Sequence, residues 1–232
     1  MMSNSQEETQ VKKIIPSKLE TGFQQLLYKT IGKVIPKNMT PNQMTTVGVI
    51  SALIGIICAG LSRISLLFLI GTICGITGHL IADDLDGYIA RTRGMSSKAG
   101  AYFDLLTDIL HITYLLIALC FSGVIHFYIG IFLVPVYALI IFTAMNYILH
   151  LNEFLFPRLG PIETHICFVL VCVVGMIFGA RSVVTIPAIE LFHTGAIGLT
   201  AADLLLILGG LPMYFEMVRL QLQLFRRLSQ NT

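Results

Sequence analysis

Six stretches of this chain, near residues 47–62, 64–91, 98–122, 127–151, 162–180 and 201–225, are apolar and close to the length that crosses a bilayer. That restricts the fold sharply. Within lipid a backbone must satisfy its own hydrogen bonds, so such runs are helices. Hydrophobic residues make up 55% of the 232 positions, charged residues 12%, and mean hydropathy is +0.81. The expectation is an all-α membrane protein with about six transmembrane helices in one domain, residues 38–232. Residues 1–37 form a polar tail and a juxtamembrane amphipathic helix. The tail, 1–15, reads as weakly ordered, and its polar, acidic start carries no cleavable signal peptide.

In the juxtamembrane helix Leu19, Phe23, Leu26, Leu27, Ile31 and Val34 recur at helical spacing, with Lys18, Gln25, Lys29 and Lys33 opposite. This pattern suits a helix lying at the membrane surface, its lysines toward anionic headgroups; the alternative is a soluble helix packed on the domain. Pro36 ends it, and Thr40-Pro41-Asn42 starts the first span, with Thr40 as N-cap and Pro41 at the first helical position. An even number of spans puts both termini on one side. Thirteen lysines and arginines fall on that side, and only Arg63 and Arg181 on the other, which orients the termini to the cytoplasm. Pro135 inside the fourth span is tolerated as a kink, and the 181–200 connection reads as a short interfacial segment. Five scattered cysteines without a Cys-x-x-Cys pair are packing residues, not a disulfide framework. No basic arm with interleaved aromatics is present, which excludes nucleic acid as a partner.

Against this background four carboxylates stand out. Asp83 and Asp86 are three apart and Asp104 and Asp108 four apart, so each pair shares a helix face. Between the pairs, Arg91 to Lys98 form a polar break. Folding the chain there as an antiparallel helix hairpin brings Asp83 to about the depth of Asp108, and Asp86 to that of Asp104. Ionisable groups at membrane depth are costly, and four converging acids repel unless cations hold them. Hard oxygen ligands suit Mg²⁺ or Mn²⁺, as a pair of ions serving phosphoryl displacement. The competing reading is a cation pathway. A transporter, however, calls for polar breaks spread across the bilayer, and these acids cluster at one level.

The same residues, Asp83-x2-Asp86-Gly87-x2-Ala90-Arg91-x8-Gly100-x3-Asp104-x3-Asp108, resemble the signature of the CDP-alcohol phosphotransferase family, without departure in type or spacing. The resemblance implies transfer of a phospho-alcohol group from a CDP-linked donor to an acceptor hydroxyl, with CMP leaving. It implies Asp83, Asp86 and Asp104 as metal ligands, and Asp108 as the base that deprotonates the acceptor while contacting metal. It further implies a cytidylyl contact for Asn42 and Thr45, and a homodimer. Asn42 and Thr45 read alone are ordinary helix-start residues. Gly87, Ala90 and Gly100 are small where the hairpin helices approach each other and the diphosphate. Arg91 either holds the diphosphate or closes the hairpin mouth. Asp84 points away from the ligand face, toward the headgroup side.

His79 and His111 lie near the acids, and hydrogen-bonded packing is the better reading of both. Glu163, at a helix start, either complements the helix dipole or faces a cationic head group. Between residues 140 and 180 Arg158 is the one permanent cation, which disfavours a phosphorylated acceptor. Gly160-Pro161-Ile162-Glu163 resembles the choline/ethanolaminephosphotransferase branch, though the chain departs from it at Ile162 and is shorter than its eukaryotic members. This points to CDP-choline or CDP-ethanolamine with diacylglycerol; the alternative is a CDP-diacylglycerol-dependent phosphatidyltransferase using serine, inositol phosphate or glycerol phosphate. A UbiA-type prenyltransferase would need a second Asp-rich motif, which the later spans lack.

Overall fold

The computed structural model describes residues 12–14, 17–155, 157–186 and 197–230. Seven α-helices and four short strands follow in the order β1 (Lys12–Ile14), α1 (Lys18–Thr30), a 3-10 turn (Ile31–Lys33), α2 (Pro41–Leu61), α3 (Phe68–Thr92), α4 (Lys98–Ser122), α5 (Phe127–Leu151), β2 (Glu153–Leu155), α6 (Pro161–Phe178), β3 (Ser182–Ile186), β4 (Ile197–Thr200) and α7 (Ala201–Gln230). Helices α2 to α7 are each long and apolar enough to cross a membrane. The protein is an all-α, multi-pass integral membrane protein.

Helix ends follow local chemistry. Thr40 and Gln43 form a reciprocal capping box around Pro41 at the start of α2. Ser97 caps α4 by accepting from Gly100 N–H, and Gly123 ends it in the left-handed conformation. Asn152 ends α5 at φ 54°. Helix α3 begins at Phe68 because the chain between Leu61 and Phe68 is taken up by turns.

The six long helices form a closed ring: α2 packs on α3, α3 on α6, α6 on α7, α7 on α5, α5 on α4, and α4 back on α2. This alters the expected hairpin. Helices α3 and α4 are not directly packed along their lengths; α2 lies against both. The small residues of α3 serve that contact. A Cβ at Gly75 would lie 2.4 Å from the Gly55 Cα, and one at Gly48 would meet Ala82 and His79. Such stripes let helix backbones touch where lipid gives no hydrophobic drive for association. Between α3 and α4 stand the acids, which need space rather than contact.

Inside the ring, one half is an apolar core of residues such as Ile76, Ile112, Leu115, Leu119, Phe168, Val171 and Leu206. Outside it, Ile50, Leu53, Ile57, Phe121, Phe132, Phe142, Ile177, Leu208 and Phe215 are exposed as a lipid-facing belt. All five cysteines are free.

Two readings change, and α1 gains a detail. Lys12–Ile14, expected in a weakly ordered tail, pairs in parallel with Glu153–Leu155; a strand whose partner lies so far along the chain leaves no local signal. The 181–200 connection is in its described parts an antiparallel ribbon, β3 with β4, and residues 187–196 lie outside the described residues. In α1, Leu27 is buried, but Leu19, Leu26 and Val34 just beyond the helix are exposed, while Glu20 is buried. The helix packs on α3 and α6 and turns a polar side inward, because what lies beneath it is the polar mouth of the ring.

Candidate active site

The cavity at that mouth is walled by Asp83, Asp86, Gly87 and Arg91 of α3, Asp104 and Asp108 of α4, Tyr137 of α5, Thr164 of α6 and Met213 of α7. Glu20 and Gln24 of α1 lie over it. One carboxylate oxygen each from Asp83, Asp104 and Asp108 lies within 4.8 Å of the others. Asp86 lines the same cavity but is directed to α2, accepting a 2.5 Å hydrogen bond from Thr45 Oγ1. Three of the four expected acids therefore converge tightly, and the fourth is held beside them.

Among the described residues none of the four forms an ion pair with lysine or arginine. Asp104 Oδ1 is buried without a hydrogen-bond partner. Unpaired carboxylates at this depth are unfavourable alone, and hard oxygens this close together are a donor set for a divalent cation. The residues fit such an ion.

Arg91 lines the cavity and donates to the Tyr28 hydroxyl at 2.9 Å. Tyr28 in turn stacks on Tyr88 at 4.6 Å between ring centroids, tying α1 to α3. Burial pushes the Tyr28 phenol up to about 12, against the opposing pull of Arg91. A Cβ at Gly87 would stand 3.0 Å from Arg91 Nη1, so this glycine makes room for the guanidinium. Gly100 faces Asn42: a Cβ there would meet Asn42 Oδ1 at 3.3 Å. Neither glycine marks an α3–α4 contact. Each serves a neighbouring polar group instead. Ala90 is half-buried on α3 and, like Asn42, Thr45 and Gly100, is not part of the cavity wall.

Glu163 sits differently from a head-group ligand. Its Oε2 accepts from Gly160 N–H at 2.8 Å and its Oε1 from Ser17 Oγ at 2.5 Å, so it closes the start of α6 and ties it to the cap of α1. It is not in the cavity wall; Glu20 is. Asp84 accepts from Gln24 Nε2 at 2.7 Å, joining α3 to α1.

His79 Nε2 lies 3.2 Å from Asp108 Oδ1, while its Nδ1 lies 3.3 Å from the Gly48 carbonyl. His111 packs against His79, and His165 of α6 completes a buried group of three rings. Sequence reading did not single out His165, Glu20, Gln24 or Tyr137. They lie on elements distant from the motif, and only the closed ring brings them to it.

The fold and site thus define a polytopic membrane protein with a carboxylate cluster at the mouth of its helix ring. The sequence model of the CDP-alcohol phosphatidyltransferase family matches residues 38–200, well over half of the chain, and the chain belongs to that family. It is a transferase that moves a phospho-alcohol group from a CDP-alcohol, in a family that generally uses divalent metals. A search among curated proteins returned no match.

Proposed function

We propose that the protein transfers a phospho-amino-alcohol group from CDP-choline or CDP-ethanolamine to diacylglycerol, with two Mg²⁺ or Mn²⁺ ions and the site facing the cytoplasm. The carrying observation is the convergence of Asp83, Asp104 and Asp108 at the base of a cavity whose mouth also holds Glu20 and Asp84. Against this acidic lining Arg91 is the one permanent cation in the wall among the described residues, which favours a cationic head group over a phosphorylated acceptor. The head-group argument first attached to Glu163 rests better on Glu20.

When bound, divalent ions neutralise the diphosphate and the charge that develops on it. The chain's residues do the rest. Arg91 reaches the diphosphate from the mouth, and Asn42 with Gly100 offers a polar edge to the cytidylyl group. Asp108, oriented by His79, takes the proton from the acceptor hydroxyl. The hydroxyl oxygen attacks the phosphorus that bears the alcohol, its bond to the CMP phosphate oxygen breaks, and CMP leaves. Exposed Leu19 and Leu26 on α1 suit a helix resting on the membrane, and a homodimer is expected from the family resemblance.

The test is CMP release by purified protein given each donor class with its acceptors. Turnover of CDP-choline or CDP-ethanolamine with diacylglycerol supports the reading. Turnover of CDP-diacylglycerol alone keeps the site and overturns the substrate.

A further inference from the structure

Below the carboxylates, His79 of α3, His111 of α4 and His165 of α6 are 3%, 2% and 4% exposed, and one ring nitrogen from each lies within 4.8 Å of the others. Three buried imidazoles on three different helices are more than the transfer reaction uses. Their hydrogen bonding is also incomplete in a directed way. His165 Nδ1 lies 2.7 Å from the Pro161 carbonyl, which can only accept, so the proton sits on Nδ1 and the lone pair on Nε2. That Nε2 is buried and has no partner. His79 Nδ1 likewise lies 3.3 Å from the Gly48 carbonyl, and its Nε2 faces Asp108 Oδ1 at 3.2 Å. Among the described residues neither nitrogen of His111 has a hydrogen-bond partner.

A ring nitrogen donating to a backbone carbonyl while the other points inward is how metal-binding histidines are held and their tautomer fixed. Two of the rings are held this way, and three imidazole nitrogens this close together make a donor set that selects borderline transition metals over Mg²⁺. We infer that His79, His111 and His165 form a second metal site for a transition-metal dication such as Zn²⁺, separate in ligand chemistry from the carboxylate cluster above. The ion ties α3, α4 and α6 together inside the ring.

The test uses full-length protein, stripped with chelator in detergent and titrated with Co²⁺ in the presence of excess Mg²⁺, which occupies the hard-oxygen cluster. Expected are about one equivalent of Co²⁺ with the intense visible d–d bands of a low-coordinate nitrogen site, displacement by Zn²⁺, and survival of the bands in Asp83→Asn. His165→Gln and His111→Gln are each expected to weaken Co²⁺ binding at least ~10-fold, the scale on which altering a metal site's ligand set registers. Absence of these bands in the wild-type protein, their loss as Mg²⁺ is raised, or their retention in both histidine variants overturns the site. The wild-type arms decide the matter even if a variant fails to fold, and none depends on which CDP-alcohol is the substrate.

Discussion

At one end of the ring Asp203, wholly buried at the start of α7, receives His126 N–H at 2.7 Å, His126 Nδ1 at 2.5 Å, Thr200 N–H at 2.8 Å and Thr200 Oγ1 at 2.9 Å. At the other end Asp83, Asp104 and Asp108 stand together, one oxygen with no partner and no basic residue paired with them except His79. Both places bury carboxylate in the same apolar scaffold. Asp203 has both oxygens engaged by protein donors and fastens the α4–α5 turn to α7. The opposing acids keep theirs for something the protein does not itself contain. A buried acid that is saturated serves the fold, and one left short of partners serves a ligand.

Substitutions can break or sharpen this contrast. The largest effect is expected at Asp108: Asp108→Asn lowers CMP release by ~10²–10⁴-fold, the usual worth of a general base, while the unfolding midpoint holds or rises because like-charge repulsion is relieved. Equal losses of activity and stability would erase the distinction. Asp203→Ala inverts the pattern. Its four donors lose their acceptor, and stability falls by about 3–5 kcal/mol in chemical unfolding, as for a broken buried pair, with CMP release per folded molecule unchanged. Thr45→Val probes the intermediate case, Asp86, which has one protein donor. Loss of a buried hydrogen bond to a charged group is expected to cost about 1.5–3 kcal/mol in chemical unfolding, less than Asp203→Ala, and to lower kcat/KM by ~10-fold or more as Asp86 loses its tether. Smallest is Ser17→Ala, which removes the α1 cap and its bond to Glu163. A cost of about 1 kcal/mol is expected in stability, and a rise in KM rather than a fall in kcat.

The acids at the mouth were legible in the sequence because lipid-length helices so seldom carry ionisable groups that four at helical spacing admit few readings. Helix ends were legible where their chemistry is local, as at Thr40-Pro41. What escaped depends on ring closure. Glu163 and Glu20 are both acids near helix starts, and only the packing of α1 across α3 and α6 sends one into a cap and the other to the cavity. Gly87 and Gly100 were expected to let α3 and α4 meet; sequence does not reveal that α2 intervenes. His165, one turn into α6, carries no mark distinguishing it from His150.

The glycine crossing of α2 and α3 carries a further consequence. Where Gly55 and Gly75 touch backbone to backbone, neither helix can slide or rotate without collision, so α2 and α3 form one rigid plate. Asp83, Asp86 and Thr45 ride on that plate as fixed points. Adjustment of the ring then falls to the opposite wall, where Pro135 in α5 and Pro212 in α7 each interrupt the helical ladder. The ring is therefore stiff on one side and pliant on the other, with Asp83 and Asp86 fixed on the stiff side and facing Asp104 and Asp108 of α4 across the cavity.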